Sequence, residues 1–494
     1  MDFAKGQAWL LAYAMICLPL MSEQFVLAMP GACLAAMRED GELGLSAALA
    51  GVLGSFGTAL NAAGKLAGGP LIDRFGARRF LLVSMPLMAL GAAAFGAVPS
   101  RLGPLVGYIV LQLCAAGGWL SACKLIEQNF DQERWVGCFS LLGVASRLGA
   151  VGSKLGLGLL LKALPWRQVA LLTAAAMAAG SVAAAWLLPS SGEHRDGERA
   201  TNGARQAERP TGRLLDRLPV IALDPGMALT SLAAVCLYSQ CGSMDSLAPL
   251  LLQDTTELDA AGVSMASAAF PAGLGAALLV AAPVYANMGL RRWKFAFELS
   301  LQALGLMGAL MALAAVWHAG MAPGILAVNV SMPIVIVVCL FLLSFGGGLT
   351  YYVTLNMYPL TFGEDCATAS ALLDVVGLIS STVFQLVAGV IFHNLQGEGG
   401  RQSWTIILLI LSALVLVAMV CTLILWHWPS LTRDRAACDD QELKAASCDT
   451  EHSEPTEATA LWNPDEGAKD AQRSTRSKRQ ATSRSRSRGG CAAR

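Results

Sequence analysis

Arg147 and Lys154 stand seven residues apart in an otherwise apolar stretch, 136–161. Seven residues are two helical turns, so both cations project from one face, together with Val151 and Gly158. Gly149, Gly152 and Gly156 fall on the opposite face, where small residues let a neighbouring helix approach closely. A pair of cations on one face can hold a carboxylate or another anionic group. The alternative is structural: Arg147 is neutralised by a carboxylate such as Glu23 or Asp374, and Lys154 snorkels toward water. Glu23 lies ahead of Ala28-Met29-Pro30 and Asp245 ahead of Ala248-Pro249, each within an apolar stretch. A carboxyl group there can bind a proton, pair with a substrate amine or act as a counter-ion, and Asp374 offers the same chemistry later in the chain. Gln240, Tyr351 and Tyr352 are candidate contacts for a small solute, the two tyrosines alternatively anchoring the membrane interface, and Tyr238 is a further polar group beside Asp245. The two tyrosines and Asn356 follow Gly346-Gly347-Gly348, a run that makes either a flexible point or a tight helix contact. Lys65, Lys124 and Glu127 sit nearer the ends of their stretches, where snorkelling or pairing at the interface is expected, and Glu298 is a weaker candidate. No nucleophile–base pair, metal-ligand cluster or nucleotide loop has adequate spacing, so neither enzymatic chemistry nor a metal or cofactor is expected.

Charges set among such neighbours require a membrane around them. The chain of 494 residues is 55% hydrophobic and 14% charged, with mean hydropathy +0.54, too apolar for a soluble protein of this size. Its formal net charge of zero gives no reason to expect nucleic acid. Its thirteen cysteines lie mostly inside apolar stretches (Cys17, Cys114, Cys236, Cys339, Cys421) and read as small apolar filler. Hydropathy predicts twelve spanning helices at about 7–30, 46–66, 80–98, 104–128, 136–161, 167–188, 226–252, 262–288, 294–317, 332–357, 366–394 and 403–428. The first, following Lys5, is read as a spanning helix rather than a signal peptide. The spans form an N-terminal bundle at 1–188 and a C-terminal bundle at 226–428. Between them, 189–225 carries six arginines and six acidic residues and reads as a cytoplasmic linker. A polar tail at 429–494, acidic and then basic and serine-rich, is expected to be disordered. Basic clusters follow the even-numbered spans: Arg74, Arg78 and Arg79; Arg134; the linker arginines; Arg291, Arg292 and Lys294. The opposite turns hold isolated cations such as Arg38, Arg101, Lys162 and Arg401, so both termini should be cytoplasmic. Asn329-Val330-Ser331, a formal glycosylation sequon, then falls near the external side.

Between spans two and three the chain reads Gly69-Pro70-Leu71-Ile72-Asp73-Arg74-Phe75-Gly76-Ala77-Arg78-Arg79. Arginine at the bilayer centre costs about 2.5–3.5 kcal/mol on insertion scales, so this segment is expected to be a short turn at a membrane surface. Gly69 and Gly76 allow close backbone approach, and Asp73 can receive backbone N–H groups or pair with arginine. The order of Gly, three residues, Asp, Arg, one residue, Gly, one residue and paired arginines resembles the loop signature of the major facilitator superfamily of secondary transporters. That resemblance implies an all-α membrane fold of twelve transmembrane helices in two pseudo-symmetric six-helix bundles. It also implies a gating loop made of Gly69, Asp73, Arg74, Gly76, Arg78 and Arg79, and a monomeric carrier. An internal duplication fits. Asp73 to Arg79 aligns without gaps on Ala286 to Arg292, and Phe130-Asp131-Gln132-Glu133 on Phe362-Gly363-Glu364-Asp365.

Two branches of the superfamily offer finer comparisons. Phe25-Val26-Leu27-Ala28-Met29-Pro30, Gly117-Gly118-Trp119, and Phe130 to Arg134 resemble the organophosphate:phosphate antiporter branch. Its two phosphate-binding arginines align on Ser22 and Gln240 and its histidine on Ser146, so phosphorylated sugars are not expected. Ser146-Arg147-Leu148-Gly149 resembles the lysosomal dipeptide-carrier branch, whose span-four glutamate has no counterpart, Ala116 or Trp119 falling nearby. Together these resemblances imply a small anionic or zwitterionic organic solute, carried by alternating access in the bilayer. Arg147 and Lys154 would hold its anionic group, while Glu23 or Asp245 would couple a proton or pair with an amine. The competing expectation is a non-transporting membrane sensor or scaffold that works through its tail.

Overall fold

A computed structural model describes residues 17–41, 43, 46–98, 102–129, 135–187, 223–288, 291–321, 332–354, 366–395 and 400–427. They belong to one compact unit within 1–434. The linker up to residue 222, the sequon, the tail, Phe130 to Arg134, Asn356 and Phe362 to Asp365 lie outside the described residues.

In hydrocarbon every backbone N–H and C=O must be satisfied within its own segment, and the apolar stretches accordingly form helices. These are α1 (Cys17–Glu39), α2 (Ala47–Phe75), α3 (Ala77–Ala97), α4 (Leu102–Asn129), α5 (Trp135–Leu161) and α6 (Trp166–Leu187). The second half holds α7 (225–255), α8 (Ala260–Ser267 and Ala269–Asn287), α9 (Arg291–Met321), α10 (Met332–Leu349), α11 (Cys366–Asn394) and α12 (Gly400–His427). Eleven of the described helices are long and apolar enough to cross a membrane. The other, α7, is helical throughout but in three pieces: Pro225–Tyr238, a π-turn at Ser239–Ser243, and Met244–Thr255. A second π-turn, Thr350–Thr354, ends α10.

Local chemistry sets the helix ends. Ser46 accepts the Leu49 N–H at 3.2 Å, Asp224 that of Met227 at 2.9 Å and Asp259 that of Gly262 at 2.8 Å, each capping a helix start. Span one reaches Glu39, well past its predicted end, because Pro30 sits in the first turn of a second segment, where its missing N–H costs nothing. The expected turn from Gly69 is instead helical as far as Phe75. The chain reverses at Gly76 alone, whose φ of +86° is glycine territory. A Cβ at Gly76 would meet nothing within 4 Å, so this residue serves backbone conformation and not close approach. Gly69, Asp73 and Arg74 are on the last turns of α2, and the surroundings of their side chains lie outside the described residues. Arg78 donates to the Ala185 carbonyl of α6 at 3.3 Å, and Arg79 is exposed.

Helix neighbours repeat between halves. α3 packs on α4 and α6, and α2 on α4; six helices later α9 packs on α10 and α12, and α8 on α10. The halves meet through α2 with α11 and α5 with α8, pairs that interchange under the same operation. This is a pair of pseudo-symmetric six-helix bundles. Small residues permit the closest contacts, as where Gly91 meets Val110 and the Gly107 carbonyl, and where Gly51 meets Gly389. Leu148, Leu155, Leu159, Val182 and Leu409 are exposed on the outer faces, where a bilayer would cover them.

Candidate functional site

A cavity of about 260 Å³ opens between the two halves. Arg147, Ala150 and Lys154 of α5, Gln24 of α1, Asn61 of α2, Cys241 and Asp245 of α7, and Tyr351 in the second π-turn contribute to its wall. From Arg147 it extends toward Met37, Ala50, Phe95 and Pro104, at the molecular end opposite Gly76.

The two cations share one carboxylate. Lys154 Nζ is 2.5 Å from Asp245 Oδ1 and donates also to the Asp245 carbonyl at 3.1 Å. Arg147 Nη1 is 3.4 Å from Asp245 Oδ2, while its Nη2 donates to Gln24 Oε1 at 3.3 Å and to Ser146 Oγ at 3.1 Å. Its Nε is buried and has no acceptor among the described residues. The guanidinium lies 5.5 Å from the centre of the Tyr352 ring, which itself tilts against Trp119 at 5.9 Å and meets Tyr351 edge-on at 4.8 Å. Ser264 of α8 donates to the Lys154 carbonyl at 2.9 Å, fixing α5 against the second half.

Several expectations change. The counter-ion of Arg147 is Asp245, neither Glu23 nor Asp374. Lys154 does not snorkel; its side chain is only 2% exposed and ends on Asp245. The π-turn explains the geometry. One extra residue per turn shifts the register just before Asp245 and lets α7 present Cys241, Gly242 and Asp245 to the cavity. Gln240 faces elsewhere: it is buried, donates to the Leu343 carbonyl of α10 at 2.8 Å and does not line the cavity. Ser22, the other position aligned with a phosphate-binding arginine, bonds the Leu18 carbonyl of its own helix at 3.0 Å and is likewise off the wall.

Glu23 is fully buried and neither carboxyl oxygen has a hydrogen-bond partner among the described residues. It presses on α4, where a Cβ at Gly118 would overlap its carboxyl group. Its neighbour Gln24, roughly 100° round the helix, takes the cavity position instead. Asp374 pairs with Lys65 at 2.8 Å and accepts from the Tyr238 hydroxyl, so Lys65 ties α2 to the other half rather than reaching for an interface. At the opposite end Arg38 pairs with Asp254 at 3.0 Å, and Asp254 also accepts from the Trp404 indole at 3.0 Å. Glu298 is buried.

The glycines sort differently from their helical positions. Gly149 meets the Met21 carbonyl, and Gly158, on the face of the cations, meets Met265 and the Ala261 carbonyl. A Cβ at Gly156 would meet nothing within 4 Å, and one at Gly152 would make only ordinary contact with Phe25. α5 is thus closely packed on both sides, by α1 and by α8. The triple glycine is a packing device: a Cβ at Gly346 would collide with the Gly305 backbone, at Gly347 with Cys241 and at Gly348 with Ala277. Sequence reasoning missed Gln24, Asn61, Tyr108, Gln112, Cys241 and Ser381, all on the cavity wall. Asn61 donates to the Gln112 side-chain carbonyl at 3.4 Å, and an amide inside each of two apolar stretches was the available signal.

The profile of the Major Facilitator Superfamily matches residues 10–328, well over half of the chain. Comparison with curated proteins gives no match. The chain belongs to the Major Facilitator Superfamily.

Proposed function

We propose that this member of the superfamily is a carrier that moves a small anionic or zwitterionic organic solute by alternating access, with the solute held in the cavity at Arg147 and Lys154. The observation that carries this reading is the pairing of two cations, Lys154 buried and Arg147 half-buried, with a single carboxylate at the wall of a cavity between the halves. Charges inside a membrane are costly unless paired, and an unbalanced one at a cavity is a place for a charged ligand. Asp245 acts as the resident counter-ion. Glu23, buried and without a hydrogen-bond partner among the described residues, is the better placed of the two carboxyl groups to bind a coupling proton. The cross-half pairs Lys65–Asp374 and Arg38–Asp254, toward opposite ends, are the contacts that must break in turn as access alternates. Arginine placement orients the Gly76 end, and with it both termini, toward the cytoplasm.

The test is thermal stabilisation of the purified protein by a panel of carboxylates, phosphorylated sugars, amino acids, dipeptides and neutral sugars, repeated with Arg147→Gln. An anion that stabilises the parent and not the variant is the expected result. Stabilisation by neutral sugars alone, or an unchanged response in the variant, would remove the anion site.

A further inference from the structure

Resting on that reading, we infer that the solute is a monocarboxylate with an uncharged, largely apolar body, and neither a zwitterion nor a dianion. Charge sets the head group. Arg147 and Lys154 carry two positive charges and Asp245 one negative, which leaves a single positive charge for a ligand to neutralise. Among the described lining residues Asp245 is the acidic one, and both of its oxygens are already taken by the two cations. The ammonium of an amino acid or peptide would therefore find no free carboxylate, and would add to a positive site. A phosphate monoester, close to two negative charges at neutral pH, would overshoot by one.

Hydrogen bonding selects a planar carboxylate. Guanidinium groups grip carboxylates through two parallel N–H donors. The end of the Arg147 guanidinium at Nη1 is given to the Asp245 carboxylate, whereas Nε has no acceptor among the described residues and Nη2 has only uncharged acceptors, Gln24 at 3.3 Å and Ser146 at 3.1 Å. The Nε–Nη2 edge is thus the one not committed to a charge; Nε is buried here, so two parallel bonds to a solute form there once Gln24 and Ser146 give way. The guanidinium is planar by delocalisation, and the Tyr352 ring, 5.5 Å from its carbon, covers one side and favours approach to its edge.

The remainder of the wall sets the body. Leu27, Leu34, Leu53, Phe95, Leu274 and Leu378 line the cavity beyond the charges. Its volume of about 260 Å³ corresponds to roughly nine waters at their ~30 Å³ share of the liquid, so a solute of about that many heavy atoms fits. Asn61, Tyr108 and Gln112 offer a few polar contacts on the α2–α4 side, fit for a hydroxyl or carbonyl but not for a charge.

The experiment uses four probes that share a six-carbon chain: hexanoate, hexanamide, norleucine and hexyl phosphate. Binding to the purified protein is measured by calorimetry for the parent, Arg147→Lys and Arg147→Gln. Hexanoate should bind the parent, and the other three should bind weaker by on the order of tenfold or more: hexanamide loses the charged hydrogen bonds, norleucine brings an unpaired ammonium and hexyl phosphate an excess negative charge. Arg147→Lys keeps the charge and the partner Asp245 but not the double donor edge, so it should weaken hexanoate by a similar factor while the protein remains folded. Norleucine or hexyl phosphate binding as tightly as hexanoate would overturn the monocarboxylate assignment and leave the carrier reading in place. Hexanamide binding as tightly, with no change in Arg147→Gln, would bring down the anion site itself. Binding of none of the four would discard the monocarboxylate class, while the broader panel still tests the carrier reading.

Discussion

Replacing Asp245 by Asn should be the most damaging single change at the site, and a ligand should repair it. In the parent, one carboxylate lies 2.5 Å from Lys154 and 3.4 Å from Arg147, with those side chains 2% and 14% exposed. Removing one partner of a buried ion pair costs about 3–5 kcal/mol, because the charge left behind stays desolvated. Two cations would be stranded here, which argues for the upper end. Asp245 is 24% exposed to the cavity, however, so water can screen part of the loss, and an expected cost near ~3 kcal/mol follows. A carboxylate ligand can stand in for the missing group. At a hundredfold excess over its dissociation constant, a ligand bound only to the folded protein contributes about 2.7 kcal/mol, nearly the whole deficit. The assay is denaturant unfolding in detergent of the parent, Asp245→Asn and the double variant Asp245→Asn/Lys154→Met, with and without hexanoate. The single variant should be the least stable, should gain most from hexanoate, and should be partly restored by Lys154→Met. A single variant as stable as the parent, or a double variant that adds the two losses, would show that the three charges do not form one unit and would refute the reasoning.

Other consequences can be checked alongside. Gly346→Ala would drive a methyl into the Gly305 backbone and should cost about 1–3 kcal/mol in unfolding free energy, whereas Gly156→Ala, facing open space, should change it by no more than ~0.5 kcal/mol or stabilise slightly. Equal effects would mean that the helix contacts are misplaced. Lys65→Met leaves the buried Asp374 carboxylate with Tyr238 as its polar partner, so the α2–α11 contact should open and cysteines introduced there should label faster; unchanged labelling would deny Lys65 a role in closing that end. Glu23→Gln should keep hexanoate binding but abolish the proton exchange with solvent that accompanies it in weakly buffered solution. The same proton exchange in parent and variant would take Glu23 out of coupling.

Much of this was legible in the residues, and what was not has identifiable physical causes. Spans three to six and eight to twelve stand within a few residues of their hydropathy estimates, because long apolar runs in a bilayer have no alternative to helix. Prolines and glycines misled where their cost depends on position. Pro30 looked like a span end but occupies a first helical turn, and Gly69 looked like a turn but is inside α2. Arg147, Lys154 and Asp245 were identifiable because charge in an apolar run is expensive. Asp245 as a counter-ion to Arg147 or Lys154 was among the expectations; its holding both at once was not, since the π-turn just before Asp245 leaves no mark in helical periodicity. The same register shift moved Gln240 off the wall and put Cys241 on it, so a cysteine read as filler borders the site. Glu23 and Gln24 differ by one helical position, and only packing against Gly118 decides which of them faces the cavity.

The most direct test of the carrier reading is a pair of distance measurements across the two ends of the molecule. Spin labels at exposed Glu39 and Glu257 report on the end that holds Arg38–Asp254, and labels at exposed Arg79 and Arg292 report on the end beyond Lys65–Asp374. Alternating access predicts that adding hexanoate moves the two distances in opposite directions, one end closing as the other opens, and that Arg147→Gln abolishes the response. Distances that stay fixed, or that lengthen and shorten together, would contradict it.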